Sequence, residues 1–136
     1  MELDHVVLWV EDLARGVDFY ERVVGLKAVN GDAVRKGESA LATLRVSERS
    51  VIDLAPKFGA DFIASAFGGE GSTGNRVHHV CLAYDGAEFA ALQARVKEAG
   101  LEVAPLPNAG GARGASKDGF YFSDPDGNVL EARCYG

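Results

Sequence analysis

The chain repeats itself, and the repeat limits what it can fold into. Leu3-Asp4-His5-Val6-Val7-Leu8 is matched by Val77-His78-His79-Val80-Cys81-Leu82. Each run leads into an amphipathic stretch that closes on Gly-Leu, at Gly25-Leu26 and again at Gly100-Leu101. The second copy is longer by one residue between these landmarks. A unit repeated on this scale implies two copies of one supersecondary motif, so whatever the first half forms the second should form as well.

Each opening run is short, rich in β-branched residues and followed by acidic or glycine residues, which predicts a strand. A helix is predicted next. Leu13, Val17, Tyr20 and Val24 recur at helical spacing after Asp12, and Phe89, Leu92, Val96 and Ala99 do so after Asp85, each aspartate standing where an N-cap belongs. Gly25 and Gly100 suit the left-handed position that ends a helix. Further strands are predicted at Leu26 to Asn30, Ala40 to Val46 and Val51 to Leu54, then at Leu101 to Ala104, Phe120 to Phe122 and Val129 to Arg133. The last two are joined by Asp124-Pro125-Asp126-Gly127-Asn128, a hairpin sequence in which Asp124 and Asp126 serve the turn. The fold class is therefore α+β, with two β-α-β-β-β modules in one domain. Module 1 covers about residues 1–55, a Gly-, Ala- and Ser-rich linker about 56–76, and module 2 about 77–136. One helical turn is predicted in the linker around Phe62 to Phe67.

Strand parity sorts the side chains. His5 shares a face with Val7 and Trp9, whereas Val6, Leu8 and Val10 point the other way, towards the helix. His79 takes the same place in the second module, with Cys81 on its face, while His78 falls on the packing side or at the edge. Glu131 sits mid-strand in Val129-Leu130-Glu131-Ala132-Arg133, where an ionised carboxylate is costly unless it is paired, hydrogen-bonded or bound to a metal. The repeat aligns Asp53 with Glu131. Taken singly, a histidine near the start of a strand or a strand carboxylate is usually solvated or salt-bridged. Two His and two acids at matched positions point to a metal.

Composition narrows the partners. Among 136 residues, 14 Lys and Arg stand against 20 Asp and Glu, a net charge of −6 without a basic stripe, so nucleic acid is not an expected partner. No apolar run approaches membrane length, and the acidic start is unlike a secretory signal, so no membrane association and a cytoplasmic location are expected. The two cysteines, Cys81 and Cys134, are too few for a disulfide framework, and Cys81 among Val and Leu reads as a small buried apolar side chain.

These residues resemble the vicinal-oxygen-chelate superfamily, which includes glyoxalase I, extradiol dioxygenases, fosfomycin-resistance thiol transferases, methylmalonyl-CoA epimerase and bleomycin-binding proteins. The carriers are Asp4-His5-Val6-Val7-Leu8, Phe19-Tyr20-Glu21, Gly25-Leu26, His79-Val80 and the run from Phe120 to Glu131. The resemblance implies a cup-shaped mixed sheet with helices outside, and a homodimer in which the metal ligands come from modules of one subunit or of two. It implies one divalent metal, Mn, Fe, Co, Ni or Zn, held by His5, His79 and Glu131. Asp53 stands where glyoxalase-like members carry a fourth ligand, usually the longer Glu.

Such a site leaves open positions on the metal for a small substrate that chelates through vicinal oxygens. For glyoxalase-type lyase, isomerase or thiol-transferase chemistry, the metal stabilises the enediolate formed when a proton leaves carbon beside a carbonyl, with Asp53 or Glu131 as the base. Arg113, in a Gly-rich loop, is either a solvated arginine or a clamp for a substrate carboxylate or phosphonate. Trp9 and Tyr121 line the cavity if parity holds and are otherwise core aromatics. The alternatives are an Fe(II) extradiol-type dioxygenase and a metal-free drug-binding protein like the bleomycin-resistance proteins.

Overall fold

The computed structural model describes residues 3–57, 77, 79–106, 110, 111 and 113–135. The chain divides into two compact units, Met1–Arg76 and Val77–Gly136.

In the first unit, β1 (His5–Val10) leads into α1 (Leu13–Phe19), which widens into a π-helical turn at Tyr20–Val24. The Asp12 carboxylate caps α1 by accepting from the Arg15 amide at 2.9 Å. The far end closes where the Gly25 and Leu26 amides both donate to the Tyr20 carbonyl, at 2.9 and 3.0 Å, with Gly25 at φ 88°. That left-handed residue is the one the Gly-Leu landmark predicted.

Strands β2 (Lys27–Ala28), β3 (Ala42–Arg45) and β4 (Val51–Pro56) complete a mixed sheet of order β1-β4-β3-β2, with β1 parallel to β4. Leu8, Val10, Leu44, Ile52 and Leu54 are buried on the face that meets Val17, Tyr20 and Val24. The strand predicted at Leu26 to Asn30 is shorter, because the chain turns at Asn30 into α2 (Gly31–Arg35). Asn30 takes over the pairing with its side chain, which donates to the Leu41 carbonyl at 2.8 Å and accepts from the Thr43 amide at 3.0 Å. Arg35 then ties α2 back to Asp18 and Glu21, at 2.8 and 2.5 Å.

Gly16 sets the distance between α1 and the sheet. A Cβ there would lie 2.9 Å from Leu54 Cδ1, inside contact distance. Gly16→Val should therefore overpack this layer and lower stability by about 1–3 kcal/mol in urea unfolding, and an unchanged midpoint would show that the layer has room for a side chain.

The second unit repeats the plan. Strand β5 (Val80–Tyr84) precedes α3 (Gly86–Glu98), capped by Asp85, whose carboxylate accepts from the Glu88 amide at 2.9 Å. Gly100 ends it at φ 68°, and Phe89, Leu92 and Val96 form its buried stripe. Strands β6 (Ala104–Pro105), β9 (Asp118–Ser123) and β10 (Val129–Cys134) give the order β5-β10-β9-β6, again with the first strand parallel to the last. A two-stranded ribbon, β7 (Gly110–Gly111) with β8 (Gly114–Ala115), precedes β9.

The predicted hairpin joins β9 to β10. Asp124 organises it, its carboxylate accepting from the Asp126 and Asn128 amides at 2.9 and 2.8 Å, with Gly127 at φ 82°. The α+β fold of two β-α-β-β-β modules is thus observed, as a four-stranded mixed sheet in each unit. From position 58 on, the predicted linker and its helical turn lie outside the described residues, as does His78.

Candidate metal centre

Pairing register confirms the correspondence read from the repeat. Asp53 stands opposite Val7 on β1, and Glu131 stands opposite Cys81 on β5, the repeat counterpart of Val7. Glu131 is also flanked by Tyr121 of β9. Each acid occupies the middle of the last described strand of its unit, between neighbours that parity predicts on its own face.

In the second unit, Glu131 is fully buried. Its Oε1 accepts a hydrogen bond from Nε of Arg133. Its Oε2 lies 2.9 Å from His79 Nε2, close in distance but not aligned as a hydrogen bond. The His79 ring is also edge-on to Tyr121, with centroids 5.3 Å apart and planes at 64°. Three predicted site residues therefore meet on one sheet face: His79, Glu131 and Tyr121.

Two further residues belong to this group. Arg133, 7% exposed, is held in its charged form by the hydrogen bond to Glu131 and by a second to Tyr135. Its signal was present in the sequence, since residues two apart on a strand share a face. Cys81 corrects an expectation: it is exposed on the Glu131 face, because parity, not hydropathy, fixes its side. Desolvation first and the Glu131 charge second push the Cys81 thiol up, and the same causes push up the Tyr121 phenol, so both keep their protons at neutral pH.

In the first unit, His5 and Trp9 lie on the Asp53 face, with His5 exposed and Trp9 half-buried. The Asp4 carboxylate lies 2.7 Å from His5 Nδ1. That hydrogen bond, with the charges of Asp4 and Asp53 and against partial desolvation, raises the imidazole pKa. It also fixes the tautomer: a proton on Nδ1 leaves Nε2 as the donor for a metal, the usual relation between a ligating histidine and its carboxylate. Asp53 accepts from the Thr43 hydroxyl at 2.7 Å.

Arg113 lies at the turn between β7 and β8, exposed, with its guanidinium carbon 5.6 Å from the centre of the Tyr135 ring. A cleft of about 500 Å³ in the second unit is lined by Lys97, Leu101, Val103 and Phe120 and contains none of the predicted site residues.

The donors can be tested against a metal directly. A fully buried carboxylate oxygen without a hydrogen bond, beside an imidazole nitrogen, is a pair that one cation would satisfy. His79 and Glu131 fit. Among the described residues, no group of three or more His, Cys, Asp or Glu side chains is assembled as a metal site. No helix among them is long and apolar enough to cross a membrane.

Residues 2–132 match the sequence model of the Glyoxalase/Bleomycin resistance protein/Dioxygenase superfamily. A lactoylglutathione lyase of Escherichia coli O157:H7 is 29% identical over 136 residues, covering 96% of this chain and 90% of that protein. An integron cassette protein from the mobile metagenome of V. cholerae is 28% identical at a TM-score of 0.64, covering 100% of this chain and 96% of the other. A glyoxalase/bleomycin resistance protein/dioxygenase family enzyme from Burkholderia phytofirmans PsJN shares the fold, with a TM-score of 0.70, 17% identity and full coverage of both chains.

Proposed function

The chain belongs to the Glyoxalase/Bleomycin resistance protein/Dioxygenase superfamily, and on that premise we propose that it is a divalent-metal-dependent enzyme of glyoxalase type. Its substrate would be a small molecule that chelates through vicinal oxygens. The observation that carries this reading is the buried, unbonded Oε2 of Glu131, 2.9 Å from His79 Nε2. The likeness to lactoylglutathione lyases along nearly the whole chain supports it.

In this proposal His5, His79 and Glu131 hold the metal, which supplies Lewis-acid stabilisation of negative charge developing on a substrate oxygen. His5 offers Nε2 because Asp4 holds Nδ1. Glu131, with Arg133 on one oxygen and His79 beside the other, is committed to binding. That leaves Asp53 as the base that takes the proton from carbon, oriented by the Thr43 hydroxyl. Tyr121 and Trp9 give the substrate aromatic walls, and Arg113 meets its anionic group. The working form is a cytoplasmic homodimer.

A second reading has one observation in its favour. Arg133 already balances the Glu131 charge, so the pocket is electrostatically stable without a cation, as a metal-free drug-binding protein requires. Assay separates the readings. Protein loaded in turn with Mn, Fe, Co, Ni and Zn should turn over a hemithioacetal of an oxoaldehyde and glutathione with at least one metal, and should stop when a chelator is added. Oxygen uptake on catechols with Fe(II) alone would move the protein to the dioxygenases, and inactivity with every metal would favour the binder.

A further inference from the structure

We infer that Arg133 is a positioning residue for Glu131: it holds one carboxylate oxygen so that the other alone is presented beside His79 as a metal donor. The inference deepens the metal-enzyme reading and rests on it.

The argument starts from the two oxygens of Glu131, which have different surroundings. Oε1 takes the Arg133 Nε hydrogen bond, while Oε2 lies beside His79 Nε2 and has none. A carboxylate can bind a metal through one oxygen or through both. With Oε1 engaged in a charge-assisted bond, binding through Oε2 alone is favoured, because Arg133 already draws on the electron density of Oε1 and fixes its orientation. Strand periodicity supplies the geometry, because Glu131 and Arg133 are two apart on β10 and rise from the same face.

Arg133 is itself held in place. Its Nη1 and the Tyr135 hydroxyl converge over the Cα of Gly111 in the β7–β8 ribbon, so closely that a Cβ on Gly111 would collide with both. Arg113, at the tip of that ribbon, packs over the Tyr135 ring from its own position. A continuous set of contacts therefore runs from the ribbon through Tyr135 and Arg133 to the acid. A guanidinium that only balanced charge would need no such support. One that sets the angle of a carboxylate does, because outer partners tune metal sites by fixing their ligands.

Two effects of Arg133 on a metal have opposite signs. Its positive charge repels a cation, whereas its hydrogen bond fixes the ligand. The support around it points to the second as the larger. The test is Co(II) binding, measured by competition with a chromophoric chelator, together with the visible spectrum of the Co(II)-loaded protein. Arg133→Met should lower Co(II) affinity by roughly 10–100-fold. It should also weaken the visible bands, as Glu131 turns to bind through both oxygens and the coordination number rises. Arg133→Lys should recover part of the affinity. Tyr135→Phe, which removes one hydroxyl near the chain end, should shift both readouts the same way by a smaller factor and keeps the test available if Arg133→Met does not fold. Unchanged affinity and spectrum in both Arg133→Met and Tyr135→Phe, or tighter binding in Arg133→Met, would overturn the inference while leaving the metal reading intact. A wild-type protein that takes up no Co(II) would overturn both.

Discussion

His79→Ala is expected to leave a folded protein that no longer retains divalent metal. His79 precedes β5, its side chain is 29% exposed, and no ladder pairing depends on its imidazole, so the sheet should tolerate alanine. What disappears is the nitrogen 2.9 Å from the buried Glu131 oxygen. Loss of an outer partner of a metal ligand costs roughly 10–100-fold in affinity, and loss of the ligand itself should exceed that. Elemental analysis after gel filtration should find metal in the wild type and none in the variant, with matching far-UV circular dichroism. Equal metal content in the two proteins would remove His79 from the site.

Leu130→Ala should produce the largest loss of stability. Leu130 is fully buried on β10, paired with Val80 on one side and Phe122 on the other, at the centre of the second sheet. Truncation there removes apolar burial and leaves a cavity that neighbours on three strands cannot close without breaking register. The cost is about 2–5 kcal/mol, a large share of the roughly 5–15 kcal/mol that holds a domain together. Because Glu131 is the next residue, thermal unfolding and Co(II) affinity should both suffer. Added metal should raise the midpoint of the variant, since a ligand that binds only the folded form stabilises it. A midpoint within a degree of wild type would show that this layer is not the core described here.

Much of the fold could be read from the chain because the repeat and strand parity are strong periodic signals. The alternation in His5–Val10, the strand at Val129–Cys134, which runs one residue beyond its predicted end and is buried on both faces, the aspartate caps and the closing glycines each follow from local chemistry. Elements set by tertiary contacts escaped. The short helix Gly31–Arg35 depends on the Asn30 side chain and on Arg35 reaching Asp18 and Glu21, none of which has a local period. The ribbon at Gly110–Ala115 is nearly all small residues and carries no pattern at all.

The candidate site divides in the same way. Parity brought His79, Tyr121 and Glu131 to one face, but hydropathy misjudged Cys81, since a strand places a residue by its number and not by its neighbours. Arg133 was overlooked although the argument that a buried acid must be paired already required a partner, and the residue two positions on was the nearest candidate. Asp4 was taken only as part of the opening run, yet it fixes the ring of His5.

The central proposal is that His5, His79 and Glu131 ligate one metal. The most direct test counts the imidazoles on the metal. Pulsed electron–nuclear spectroscopy of Cu(II)-loaded protein should register two histidine nitrogens in the wild type and one in His5→Ala. A single imidazole in the wild type, or a count unchanged by His5→Ala, would contradict the proposal.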